Sequence, residues 1–308
     1  MVAFIKGEII MQVTDIAVTK ENRESTRHGS AAFPIAVYYS IMSKNILGYT
    51  KLHWHEEIQF CFVVRGAIEF HVSEQTYRLE RGDGIFINSS YLHMARPLRD
   101  PDSTYICMDL GPQMLSGFTG SIIEQQYLLP FLSDAAFSHC VLRQQVDWQK
   151  AVLDEIRWIY KWNEEQPLAY EVEIFAHLQI MFLSLLRHRP DVPTVRRKSK
   201  ANIVVQRIIS YIGQHYQEKI TLQDIAGHAS YAESECCRIF KKFTGDSIFS
   251  YLRAFRLEQS TYLLTRSTIS VSDIAYTCGF SSTSYYIEAF RKQFGLTPLC
   301  YRQQHEIK

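Results

Sequence analysis

From Pro34 to about Leu110 the chain alternates short apolar runs with turn residues. The runs 35–41, 58–64, 67–72, 84–87 and 105–110 are each about one strand long, and Arg65-Gly66 and Gly82-Asp83-Gly84 punctuate them. Strands this short at close spacing predict an antiparallel sandwich or small barrel. From about Asp147 the period lengthens. Trp148, Val152, Ile156 and Ile159/Tyr160 recur at helical spacing, and Val172, Phe175, Ala176, Leu178 and Met181 continue it in a second helix. Ahead of the strands, the polar stretch 19–30 reads as an arm or loop. Behind the helices, two prolines and four closely spaced cations in 189–201 read as a linker. The pattern thus divides the chain into an arm over 1–33, a β-rich domain with helices over 34–188, the linker 189–201 and a helical domain over 202–308.

The helical domain contains an internal repeat. Ile-Thr-Leu-Gln-Asp-Ile-Ala at 220–226 returns as Ile-Ser-Val-Ser-Asp-Ile-Ala at 269–275. Phe-Lys-Lys-Phe-Thr-Gly at 240–245 returns as Phe-Arg-Lys-Gln-Phe-Gly at 290–295. Each copy opens with a hydroxyl residue and an acid three positions on, Thr221 with Asp224 and Ser270 with Asp273, a helix start close to a capping box. A short helix, a turn at 228–231 or 278–280, and a second helix beginning near Ala232 or Ser281 complete each copy. Gly245 and Gly295 are its predicted C-caps. Two such copies are two helix-turn-helix units. The stretch 247–266 between them reads as one helix, and about 20 residues at 1.5 Å rise span ~30 Å, close to the ~34 Å between successive major-groove faces of DNA.

Composition changes the picture in one respect. The 33 basic and 32 acidic residues nearly cancel, but 1–194 carry 17 against 23 and 195–308 carry 16 against 9. An acidic front joined to a basic back predicts a polyanion partner for the back. The 46% apolar content excludes wholesale disorder. No apolar run reaches the ~18–20 residues of a membrane helix, and the N-terminus lacks a signal-peptide pattern, so no membrane partner and a cytoplasmic location are expected. Seven cysteines without Cys-x-x-Cys spacing point away from disulfide and zinc frameworks.

The most specific stretch of the repeat, Asp273-Ile-Ala-Tyr-Thr-Cys-Gly-Phe-Ser281, is followed by Phe290-Arg-Lys-Gln-Phe-Gly-Leu-Thr-Pro298 and Tyr301-Arg302. With Arg238-Ile-Phe-Lys-Lys-Phe-Thr-Gly245, Tyr251-Leu252 and Arg256-Leu257, it resembles the DNA-binding domain of the AraC/XylS family of bacterial transcription regulators over about 100 residues, 202 to 302. Ser230 and Ala232 depart from the pattern, standing where the family usually has Gly and Ser. The resemblance implies promoter-specific binding of double-stranded DNA. Recognition positions fall on Ser234, Cys237 and Arg238 in the first unit and on Thr283, Ser284, Tyr285 and Glu288 in the second. Arg238 suits guanine, and Glu288 suits either acceptance from cytosine or repulsion of a nearby phosphate. Lys241, Lys242, Arg291 and Lys292, at the far helix ends, suit phosphate contacts that position without specifying. Cys236, Ile239, Tyr286 and Phe290 read as core.

The front half carries a second constellation. His53, His55, Gln59, Gly66 and a later His93 resemble a degenerate cupin signature, whose ligand positions fall on His53, His55, Gln59 and His93. A neutral amide in the carboxylate's place is a poor ligand for a divalent ion. The pattern therefore reads as a pocket free of metal and cofactor that hydrogen-bonds a small effector, with structural histidines and a metal site as alternatives. Trp54 and other aromatics nearby would suit stacking on a sugar, one effector class among several. The resemblance further implies an arm that closes over the pocket, a helical dimerisation element in 145–188, a homodimer, and RNA polymerase as a partner of an activator controlling uptake or catabolism. The expected fold class is α+β in two domains, an N-terminal cupin-like β-barrel followed by helices and a C-terminal all-α double helix-turn-helix, with no catalytic residue. The rivals are a cupin-type metalloenzyme with a nucleic-acid-binding C-terminal domain, and an RNA-binding or structural adaptor.

Overall fold

A computed structural model of the chain describes residues 12, 14–19, 22–26, 28–30, 32–134, 137–189, 200–244 and 246–305. Most of the predicted linker, Gly245 and much of the predicted arm lie outside the described residues. The chain divides into two compact units at about residue 199.

The described strands of the first unit are β1 (Ile35–Ile41), β2 (Thr50–His53), β3 (Ile58–Arg65), β4 (Ala67–Val72), β5 (Gln75–Glu80), β6 (Gly84–Ile87), β7 (His93–Pro97), β8 (Thr104–Leu110) and β9 (His139–Leu142). They form two antiparallel sheets, one in the order β1-β8-β3-β6-β9 and one in the order β2-β7-β4-β5. The larger sheet is buried on both faces. Its residues Tyr38, Cys61, Val63, Ile85 and Cys107 meet Ile68, Phe70 and Leu79 of the smaller sheet. The alternate residues Val37, Phe60, Phe86, Ile106 and Met108 pack on the opposite face against helices. Two buried faces erase the alternation of a half-exposed strand, which is why β1, β3 and β8 read in the sequence as apolar runs, each interrupted by one polar residue, Ser40, Gln59 and Asp109. Strand β5 exposes most of its residues and buries Leu79, too little pattern to mark it.

The helices that cover the larger sheet are α1 (Leu129–Ser133), α2 (Asp147–Glu165) and α3 (Tyr170–Arg187). Val152, Ile156 and Ile159 of α2 face the sheet together with Ile174, Leu178, Met181 and Leu185 of α3. Val172 and Phe175, read as part of the inward stripe of the second helix, are exposed instead. The inward stripe starts at Ile174, so α3 carries a second apolar face on its outside.

The second unit holds the described helices α4 (Lys200–His215), α5 (Leu222–Ala229), α6 (Glu233–Thr244), α7 (Ile248–Arg266), α8 (Val271–Thr277), α9 (Thr283–Phe294) and α10 (Pro298–His305). Thr221 and Asp224 close a reciprocal capping box on α5, and Ser270 accepts from the Asp273 N–H at 3.1 Å to start α8. The predicted connecting helix is α7, 19 residues long. In the second unit the N-cap is Ser282, one position later than expected, and it accepts from the Tyr285 N–H. The turn before α9, residues 278–282, is two residues longer than the turn before α6, residues 230–232, and the first hydrogen bond of α6 runs from the Cys236 N–H to the Ala232 carbonyl at 2.9 Å. Gly295 takes the left-handed conformation, φ +74°, as the C-cap of α9.

Candidate functional site

The cupin-pattern residues converge inside the sandwich. His53 ends β2 and pairs across the ladder with His93 of β7, their ring centroids 4.2 Å apart, and His55 lies 5.0 Å from His93. All three are buried. Their Nδ1 atoms face backbone carbonyls: His53 to Lys51 at 2.8 Å, His55 to Glu57 at 3.2 Å and His93 to Tyr91 at 2.8 Å. A carbonyl only accepts, so each neutral ring carries its proton on Nδ1 and presents Nε2 as a lone pair. Burial, reinforced by the neighbouring histidines, holds His53 and His55 well below the usual imidazole range, and burial lowers His93. The rings are therefore neutral acceptors. One ligand atom from each lies within 4.8 Å of those from the other two, and Nε2 of His93 has no hydrogen-bond partner.

Gln59 is inside as well but turned elsewhere. It sits opposite Asp109 in the β3–β8 ladder and its amide donates to the Asp109 carboxylate at 2.9 Å. Asp109 was not singled out from the sequence, although a carboxylate within the apolar run 105–110 was a visible signal. Burial pushes Asp109 up to about 6, against the pull of His28 and the Gln59 hydrogen bond. His28, from the segment ahead of β1, lies 2.9 Å from the Tyr38 hydroxyl, 3.6 Å from Asp109 and 3.4 Å from Glu24. Burial works against its charge, yet Glu24 and Asp109 outweigh that and raise it to about 9. Glu24, with only 4% of its side chain exposed, also approaches His53 Nε2 at 3.6 Å. Nothing in the polar stretch 19–30 marked these two residues as interior. A cavity of about 30 Å³, enough for one or two waters, remains among Glu24, His28, Thr50, Gln59, His93 and Asp109. Trp54 does not line it. The Arg23 guanidinium lies over its ring at 5.6 Å from the centroid.

In the second unit the sequence-derived positions lie along one side of α6 and α9. Ser234, Cys237, Arg238, Lys241 and Lys242 are exposed on α6, while Ser284, Tyr285, Glu288, Arg291 and Lys292 are exposed on α9 and Thr283 is half-buried. Cys236, Ile239, Tyr286 and Phe290 fill the cores behind them. Arg238 is held by Glu235 through two hydrogen bonds, of 2.6 and 3.2 Å. Three other cations serve the fold. Arg207 donates to the last carbonyl of α5 (Ala229), Arg256 to the Tyr216 and Glu218 carbonyls after α4, and Arg302 to Leu264 near the end of α7 and to Ile269. Each neutralises carbonyls that a helix end or turn leaves open.

A sandwich with a buried polar interior, joined to two helix-turn-helix units with exposed basic faces, defines a sensor coupled to a DNA-binding domain. Family models agree: residues 46–144 match the AraC-like ligand binding domain and residues 225–304 match a helix-turn-helix domain. Bacillus subtilis (strain 168) has a similar protein, YdeC, described as an uncharacterized HTH-type transcriptional regulator. It is 31% identical over 94% of this chain and 99% of its own length. The HTH-type transcriptional activator RhaR of Salmonella dublin is 23% identical over 81% of this chain and 86% of its own. Among solved structures, the DNA-binding domain of AdpA in complex with a target DNA is 28% identical, covering 32% of this chain and 90% of that one at a TM-score of 0.31. The chain belongs to the AraC family of transcription regulators. It joins an AraC-like ligand-binding domain to a helix-turn-helix domain, the composition of a ligand-responsive transcription regulator. No helix among the described residues is long and apolar enough to cross a membrane.

Proposed function

We infer that the protein is a homodimeric, cytoplasmic transcription activator that reads promoter DNA through α6 and α9 and is controlled by a small hydroxylated effector, of which sugars are the leading class. The observation that carries the effector reading is the interior itself. Thr50, Ser40 and Tyr105 bring hydroxyls to the cavity wall beside Gln59, Asp109 and the histidines. With Glu24 and His28 withdrawn, Asp109 is the one carboxylate left among these directional donors and acceptors, a lining that suits a neutral polyol. The cavity is too small for one while Glu24 and His28 stand in it, so the effector has to displace that segment. This gives the arm its role, since a ligand that binds one arm position better than the other shifts their populations.

Arg238, Ser234 and Cys237 on α6, with Thr283, Ser284, Tyr285 and Glu288 on α9, are the base-facing set. Lys241, Lys242 and Arg291 contact phosphate. The outer face of α3, where Val172, Phe175, Ile180 and Leu183 are exposed, supports a helix-to-helix homodimer. RNA polymerase is the partner an activator requires, and no catalytic step is assigned to the chain. The test is a genomic-fragment pull-down with purified protein at near-physiological salt, without and with candidate sugars. Enrichment of a few promoters that changes with one sugar is expected. Uniform, salt-labile retention under every condition would overturn the sequence-specific reading.

A further inference from the structure

His53, His55 and His93 spend Nδ1 on backbone carbonyls and bring one ligand atom each to within 4.8 Å of the others in a buried space. Hydrogen-bond donors or a single cation must satisfy the lone pairs there, and a cation alone satisfies all three at one point. The side chains nearby do not supply the donors. Gln59 spends its amide on Asp109 at 2.9 Å and stands 3.5 Å from His55 Nε2, too far for a sound hydrogen bond. His93 Nε2 has no partner. The remaining neighbour of His53 Nε2 is a carboxylate oxygen of Glu24 at 3.6 Å, itself an acceptor.

We propose that His53, His55 and His93 bind a divalent first-row transition metal ion through Nε2, with the Glu24 carboxylate, delivered by the segment ahead of β1, as the fourth ligand. Atoms within 4.8 Å of one another leave a point no more than about 2.8 Å from all three, so inward shifts of under ~1 Å reach the ~2.0–2.1 Å of a metal–imidazole bond. The 3.6 Å between Glu24 Oε2 and His53 Nε2 is close to the ~3.4 Å that separates neighbouring ligands in a tetrahedral site with such bonds. The three Nδ1–H···O=C hydrogen bonds are the outer-shell contacts that fix ligating rings. Three nitrogens and one carboxylate oxygen select zinc, cobalt, nickel or iron over magnesium or calcium.

The site departs from the cupin pattern, in which the acid would stand at Gln59. Here the acid comes from the N-terminal segment, so metal occupancy and the position of that segment are linked. Effector hydroxyls can then enter as further ligands or replace Glu24.

The test uses the full-length protein, purified without a metal-affinity step, with neither DNA nor effector present, so that its outcome is separate from the regulator reading. Metal content is measured first. The protein is then stripped by chelator and titrated with Co²⁺, read by its visible d–d bands and by X-ray absorption. One metal per chain, with the multiple-scattering signature of imidazole, is expected. His93→Ala should abolish stoichiometric uptake, and Glu24→Gln should weaken Co²⁺ binding at least about tenfold and alter the bands. Far-UV circular dichroism checks that both variants fold. Wild-type protein that takes up no Co²⁺, that binds it without imidazole scattering, or that binds equally well as Glu24→Gln would overturn the proposal, and the first two outcomes require no variant.

Discussion

Ser230 and Gly279 lie 49 positions apart and occupy the same place, the turn that ends the first helix of each helix-turn-helix unit. Both have positive φ, +61° for Ser230 and +83° for Gly279. Gly279 has no alternative. A Cβ there would strike the Tyr216 carbonyl and lie 2.9 Å from the Arg256 guanidinium. Ser230 bears the left-handed penalty that glycine avoids. Ser230→Gly should therefore stabilise the protein by about 0.5–1 kcal/mol, the strain relieved less the extra entropy of glycine. Gly279→Ala should cost about 2–4 kcal/mol. Urea midpoints at constant m-value check both, and a Gly279→Ala change under about 0.5 kcal/mol would contradict the collision.

The recognition helices differ in the same direction at their starts. Ser282 caps α9 with its hydroxyl, while the corresponding Ala232 offers α6 only a carbonyl. Ala232→Ser should add about 0.5–2 kcal/mol and slow amide exchange at the first turn of α6 more than elsewhere. Equal protection factors in the two proteins would show that α6 is already capped by other means.

These helix ends were the most legible part of the chain, because repeats, hydroxyl–acid pairs and glycines act locally and leave local marks. The doubly buried strands were legible too, as apolar runs. What escaped was long-range. The pairing of Gln59 with Asp109 follows from register, and the interior position of Glu24 and His28 follows from a polar segment folding back onto the sheet. Neither has a periodicity. Asp109 could have been found by asking why an acid interrupts the apolar run 105–110. His53, His55 and His93 stand out by their spacing, whereas only the supply of aromatics nearby nominates Trp54, which does not line the cavity.

The Gln59–Asp109 contact makes a stability prediction inside the sensor. Gln59→Leu removes a donor from a buried carboxylate whose proton affinity is already raised by burial. Leaving that acceptor short of a partner should destabilise the protein by about 1–3 kcal/mol. The double variant with Asp109→Leu should recover part of the loss, which a double-mutant cycle on urea midpoints measures. Strict additivity of the two changes would mean the hydrogen bond carries no coupling.

Acid sensitivity has a defined contributor in β9. Burial lowers His139 from 6.5 to about 4, and its Nε2 lies 2.6 Å from the Tyr77 hydroxyl while Nδ1 lies 2.9 Å from the Ser138 hydroxyl. The folded state disfavours the charged ring, so its contribution is intact above pH 6.5 and is lost as pH falls toward 4, where the unfolded chain takes up the proton first. The full loss is up to about 3 kcal/mol. Wild-type stability measured against His139→Gln should therefore decline across pH 6.5 to 4. A difference that stays constant over that window would exclude the role.

The DNA face offers the last prediction. Arg238 and Lys241 stand one helical turn apart on α6, both exposed, yet they differ in surroundings. Glu235 holds the Arg238 guanidinium in place and lowers its freedom before DNA arrives, which favours a directed, planar contact over a diffuse one. Arg238→Ala should cost about 1–3 kcal/mol on the cognate promoter and relax preference at a single base position. Lys241→Ala should weaken cognate and random duplex alike and reduce the slope of log K against log salt by about 0.9. Glu235→Ala separates the two ideas. If Glu235 orients Arg238 for a base, its removal lowers specificity even though a negative charge has left the interface. If Arg238 only meets phosphate, the same change raises affinity for every sequence equally. Binding isotherms on cognate and scrambled duplexes at three salt concentrations distinguish these outcomes.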